Sequence, residues 1–204
     1  MYHGERFNSI SVLVGSVFAI VGVTVMLTLA VQSGDVWKIV ASAVYGAGLI
    51  MNYVVSTLYH SIPGPSKKFF QKLDHISIYI LIAASYTPFC LILWRESFGW
   101  WLFGLIWLLA IMGITFEFTL AKRSRIPSYV TYLGMGLLIL GVIEHLFKSL
   151  TFSSQVCLFL GGFFYVAGLY FYGNDEKYAH FHGIWHLFVF AGSGLMYFCF
   201  FQMI

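Results

Sequence analysis

The 204-residue chain is 60% hydrophobic, 20% aromatic and only 9% charged, with a formal net charge of +3. Soluble domains carry roughly a quarter of their residues charged, so a soluble enzyme is excluded. The small basic excess, gathered mainly in two loops, speaks against nucleic-acid binding.

Crossing the hydrocarbon core takes about 20 apolar residues per helix, and the chain supplies seven such runs. In order they are Ile10–Val31, Val36–Tyr59, Ile76–Trp94, Trp100–Leu120, Tyr129–Phe147, Val156–Tyr172 and Ile184–Phe201. Gln32 to Asp35 ends the first, and Pro63-Gly64-Pro65 with Lys67, Lys68 and Lys72 separates the second from the third. Arg95-Glu96, then Lys122, Arg123, Arg125 and Pro127, then Lys148 to Ser154, then Gly173 to Lys177 mark the later turns. The expected fold class is all-α: a polytopic bundle of seven transmembrane helices, one domain over 1–204, without internal repeats. Cys90, Cys157 and Cys199 lie inside apolar runs without CxxC spacing, and read as small buried hydrophobes.

Orientation follows from the basic residues. Arg6, Lys67, Lys68, Lys72, Lys122, Arg123, Arg125 and Lys177 fall on one side, and only Lys38, Arg95 and Lys148 on the other. The amino terminus is therefore expected in the cytoplasm and the carboxyl terminus outside. The first run is longer than a signal-peptide core and no A-x-A pattern follows it, so no cleaved leader is expected.

On that topology the polar residues converge. The second helix ends at His60, the third begins near Asp74, and the seventh opens with His182 and His186. Residues four apart share a helix face, so His182 and His186 can present two imidazoles to one ion, with His60 completing a three-histidine set. Three nitrogens on a tetrahedral Zn²⁺ leave one position for water, the pattern of a catalytic site. Asp74 could accept that water's proton. Ser56, one turn from His60, could orient the site or donate to an oxyanion. A single interfacial histidine usually only bonds a carbonyl, but a carboxylate at the same depth costs about 2.5–3.5 kcal/mol if unpaired, which strengthens the metal reading.

The other histidines are set aside as ligands. His75 projects about 100° from Asp74, His180 lies in a loop, His145 beside Glu144 lies toward the outer face, and His3 is terminal. Glu117 reads either as an interior proton acceptor or as an interfacial carboxylate near Lys122–Arg125, the second being preferred. Glu5 either caps the site from below or is simply solvated. Trp94, Trp100 and Trp101 fit an interfacial aromatic belt.

Four stretches then carry a resemblance over essentially the whole chain: Glu5-Arg6-Phe7-Asn8-Ser9, Ser56-Thr57-Leu58-Tyr59-His60, Leu73-Asp74-His75 and His182-Gly183-Ile184-Trp185-His186. In this order on seven helices the chain resembles the hemolysin III family, bacterial relatives of the progestin and adipoQ receptors. More distantly it looks like the alkaline ceramidases, intramembrane metal-dependent amide hydrolases. The resemblance implies zinc on His60, His182 and His186, with Asp74 holding its water and Ser56 in support. One departure is Val12, where family members often carry a histidine.

The expected function is a membrane-embedded zinc hydrolase acting on a lipid amide or ester from the inner leaflet. The alternatives are a cytolysin or channel, as the family label suggests, and a non-enzymatic sensor of membrane lipid state whose zinc is structural. Membrane lipid is the expected partner, a bacterial inner membrane the expected location, and nothing in the pattern sets an oligomeric state.

Overall fold

The computed structural model describes residues 3–119 and 126–204. After a single 3₁₀ turn (His3–Glu5) come α1 (Arg6–Ser33), α2 (Val36–Ser61), α3 (Lys67–Pro88), α4 (Gly99–Thr119), α5 (Ile126–Leu137), α6 (Ile143–Ser149), α7 (Phe152–Gly173) and α8 (Phe181–Phe201). Among the described residues there are seven helical spans long and apolar enough to cross a membrane, α5 and α6 together forming the fifth. Large apolar side chains such as Phe18, Ile111, Phe163 and Trp101 face outward. Apolar side chains turned outward on the peripheral spans are what a lipid-facing bundle needs.

The helix ends follow from local chemistry. Gly34 closes α1 with φ +71°, its N–H bonded to the Val31 carbonyl, and Asp35 caps α2 by accepting from the backbone N–H of Trp37 at 2.8 Å and Lys38 at 3.3 Å. A left-handed glycine followed by an acidic cap is a compact stop and start. The Pro63–Pro65 break is shorter than its charge pattern suggests, because Lys67 and Lys68 already belong to α3. Asp74 therefore lies two turns inside that helix rather than at its mouth.

Two spans are irregular. Pro88 lacks the N–H that would continue the α-helical ladder, and Phe89–Leu93 follows as a π turn closed by Trp94 N–H to the Phe89 carbonyl at 3.1 Å. The fifth span tightens to 3₁₀ geometry at Leu138–Val142. Backbone groups inside a bilayer need internal partners, and Tyr86 of α3 provides them. Its hydroxyl donates to the Met135 carbonyl at 2.7 Å and accepts from Ile139 N–H at 2.9 Å.

Helix α1 packs against α2 and α8, α2 against α3, α3 against α4 and α5, and α7 against α8. The last helix thus returns to the first. A mainly apolar cavity of about 440 Å³ remains between α3, α5, α7 and α8, bordered by Asn52, Tyr132, Tyr165 and Trp185 among others.

Candidate metal centre

The N-terminal end of the bundle gathers the polar groups. His60, 1% exposed, occupies the last turn of α2, and the Ser9 hydroxyl of α1 donates to its carbonyl at 2.7 Å. That bond satisfies one of the carbonyls a helix end leaves without a partner. His182 and His186 sit one turn apart at the start of α8. Gly183 between them lets α1 approach: a Cβ there would run into the ring of Phe7 and stand 2.9 Å from Asn8 Oδ1.

The three imidazoles meet. His60 Nε2 lies 3.1 Å from His186 Nε2 and 3.3 Å from His182 Nε2. One ligand nitrogen from each of the three lies within 4.8 Å of the other two, so the trio could hold a metal ion. Nitrogens bound at about 2.0–2.1 Å to a tetrahedral ion sit about 3.3 Å apart, close to the two Nε2 separations at His60.

Two carboxylates fix the tautomers. His60 Nδ1 contacts Glu5 Oε2 at 2.8 Å, and His182 Nδ1 contacts Asp175 Oδ2 at 2.6 Å. An ionised carboxylate only accepts, so in the neutral form of each ring Nδ1 carries the hydrogen and Nε2 turns its lone pair to the centre. Two such lone pairs facing each other at 3.3 Å repel unless a metal ion or a proton lies between them. A carboxylate behind each ligand imidazole is also the usual outer-shell arrangement of metal-binding histidines. The donor set, its spacing and its outer shell all fit a metal.

Glu5 is itself held on three sides, accepting from Asn8 Nδ2 at 2.8 Å and Lys67 Nζ at 2.7 Å besides His60. Burial works against its charge, but the hydrogen bonds from His60, Lys67 and Asn8 prevail and keep its carboxyl well below the usual carboxylate range. Of the two sequence readings of Glu5, the cap beneath the site is the one the geometry matches.

Asp74 is partly buried, with Ser56 as a side-chain hydrogen-bond partner and His60, His75 and His182 within electrostatic reach. It stands next to the trio without belonging to the ligand cluster. Ser56, His60 and His186 are buried and His182 half-buried. The five residues singled out from the sequence therefore share one neighbourhood.

The remaining assignments divide. His180 is exposed and precedes α8 with φ +68°, and His145 is exposed against the Phe98 ring. The His3 side chain lies outside the described residues, as do Lys122, Arg123 and Arg125. Glu117 is 8% exposed and bonds His75 Nδ1 at 2.6 Å and the Ser128 hydroxyl at 2.8 Å, while the Lys122–Arg125 cluster of the preferred reading lies outside the described residues. Sequence reasoning missed Asp175, which it treated only as part of a helix break. The available signal was a carboxylate in the short loop seven residues before His182.

The comparisons agree with this architecture. A sequence model described as Haemolysin-III related matches residues 1–197. Hemolysin-3 of Bacillus cereus is 40% identical over 196 residues, covering 96% of this chain and 89% of that protein. The Hemolysin-3 homolog of Bacillus subtilis (strain 168) is 36% identical over 196 residues, covering 96% and 92%. The human monocyte to macrophage differentiation factor is 27% identical over 172 residues, covering 81% of this chain and 71% of its own length. Seven spans, the histidine trio and these matches lead to one conclusion: the chain belongs to the haemolysin-III-related family.

Proposed function

We propose that this protein is a membrane-embedded, zinc-dependent hydrolase that cleaves an amide or ester bond of a membrane lipid. The observation that carries the reading is the face-to-face pair of carboxylate-locked imidazoles, His60 and His182, with His186 as third donor and Asp74 alongside. Three neutral nitrogens form the donor set of catalytic zinc. Zinc held there would supply a Lewis acid and a water acidified toward about pKa 7.

The chain's own groups do the rest. Asp74 takes the proton released as water adds to the substrate carbonyl. Ser56 keeps the Asp74 carboxyl oriented and has a hydroxyl to offer the developing oxyanion. The apolar cavity between α3, α5, α7 and α8 suits a hydrocarbon chain beside that carbonyl. The basic residues on the N-terminal side support a cytoplasmic amino terminus in a bacterial inner membrane, and hence a substrate from the inner leaflet.

The experiment is metal analysis and lipid turnover of purified protein beside Asp74→Asn. Near-stoichiometric zinc in both, with turnover reduced about 10²–10⁴-fold in the variant, is the expected result. Undiminished turnover in Asp74→Asn removes Asp74 from the chemistry.

A second reading, a cell-lysing protein, is favoured by the name of the Bacillus cereus relative, Hemolysin-3. Dye leakage from vesicles that persists after loss of all three histidines would support it over the hydrolase. If zinc is present but no lipid turns over, the metal is structural and the protein is better read as a sensor of membrane lipid state.

A further inference from the structure

A third carboxylate–imidazole pair joins α3 to α4. Glu117, near the end of α4, contacts His75 Nδ1 through Oε1 at 2.6 Å, while Oε2 accepts from Ser128 of α5 at 2.8 Å. The Nε2 of His75 faces the hydroxyl of Tyr172 on α7 at 3.5 Å. Tyr172 stacks on Trp185 with ring centroids 5.1 Å apart, and its ring stands 5.9 Å from that of His182. Trp185 and Tyr132, whose hydroxyl donates to the His75 carbonyl at 3.1 Å, both border the large cavity. Glu117, His75 and Tyr172 thus form a chain of groups from the end of α4 to a ring that touches both His182 of the trio and Trp185 at the cavity.

Helix packing alone is a poor reason for this arrangement. Burying a carboxylate and an imidazole carries a desolvation cost, and an apolar pair would join α3 to α4 without it. The buried Tyr79 hydroxyl lies in the same polar pocket, beside Ser128, Thr131 and Tyr132 and within electrostatic reach of Glu117. The cluster is therefore more polar than packing requires. Buried ionisable groups in spans characteristically handle protons or ions.

Amide hydrolysis needs two proton transfers. Water adds its oxygen to the carbonyl carbon and gives one proton to a base. The C–N bond then breaks with its electron pair on nitrogen, which must gain a proton to leave. Asp74 covers the first transfer. We propose that His75, oriented by Glu117 and acting through the Tyr172 hydroxyl, supplies the second; this rests on the hydrolase reading above. Tyr172 passes its hydroxyl proton to the departing nitrogen and takes one from the His75 imidazolium, whose charge Glu117 offsets. The proton held by Asp74 then leaves for solvent, and solvent reprotonates His75. Glu117 and His75 are positioning and relay groups behind Tyr172. Among the described residues, the titratable and charged groups around His75 include Asp74, Lys72 and Tyr79 on its own helix, Glu117 on α4, Tyr132 on α5 and Tyr172 on α7.

The test compares two probes with one acyl chain, an N-alkyl fatty amide and the 4-nitrophenyl ester, whose phenolate leaves without needing a proton. Wild type, His75→Gln, Glu117→Gln and Tyr172→Phe are assayed in full-length form, with bound zinc measured in each. Amide turnover should fall about 10²–10⁴-fold in His75→Gln and Tyr172→Phe, and measurably in Glu117→Gln, while ester turnover and zinc content hold. Tyr172→Phe deletes one oxygen and keeps the stack on Trp185, so it carries the test if Glu117→Gln misfolds. Equal losses on both probes, or none on the amide, overturn the relay and leave the hydrolase standing. A wild type that cleaves only the ester does the same. A wild type that cleaves neither probe overturns the hydrolase reading, and the relay with it.

Discussion

The carboxylate of Glu5 meets the Nδ1 of His60 at 2.8 Å although 55 residues separate them in the chain. This contact ties the first turn of the protein to the end of α2 and decides which nitrogen of His60 faces the centre. Glu5→Gln keeps the shape but can present either oxygen or NH₂ to the ring, so the tautomer is no longer enforced. Metal affinity should fall about 10–100-fold, the usual effect of losing an outer-shell partner, as measured by chelator competition. Asp175→Asn should act in the same direction through His182. Unchanged affinity in both would separate these carboxylates from metal binding.

Glu5 also makes an acid-side prediction. Its folded pKa is held below its ordinary value of 4.5, so its contribution to stability is complete above about pH 4.5 and fades as pH falls toward the folded value. Glu5→Gln lacks that contribution at every pH. The difference in melting temperature between wild type and Glu5→Gln should be largest near neutrality and narrow at pH 3.5. A gap that widens with acid would contradict the assigned pairing.

Metal removal should read out as lost stability. A ligand that binds only the folded state at about a hundred times its Kd adds about 2.7 kcal/mol. Detergent-solubilised wild type should therefore melt earlier after chelation and recover with added zinc. The His182→Ala/His186→Ala protein should show neither shift. Recovery in the double variant would place the ion elsewhere.

Tyr86→Phe tests the irregular fifth span. Losing one hydroxyl removes a partner from both the Met135 carbonyl and the Ile139 N–H. An orphaned buried polar group costs about 1–3 kcal/mol, and amide exchange at Ile139 should accelerate before exchange in α2 does. Exchange rising evenly over all helices would mean that the break is held by other groups.

The spans were legible because hydrocarbon thickness imposes a length that composition reveals directly. The trio was legible for a related reason: an i, i+4 histidine pair and a third histidine at matching depth can meet only if the helix ends lie together. Glu5 and Asp175 were harder, since loop and terminal carboxylates carry no periodicity that links them to a distant ring. The Glu117–His75 pairing is hard to read because the cations at Lys122 to Arg125 are near along the chain, whereas His75 lies 42 residues back. Adjacent helices set that pairing, and a one-dimensional charge pattern does not report which helices are adjacent. The start of α3 is hidden by its lysines, which resemble loop residues although Lys67 and Lys68 form the first turn of a helix whose charged heads reach water.

Because α8 closes the ring against α1, two of the three imidazoles stand on a helix more than 120 residues downstream of the third. A chain shortened before Phe181 keeps six of the described spans and His60 but can offer an ion one nitrogen of the set. The trio is thus a property of the closed bundle, and no fragment without α8 should present more than one of its imidazoles.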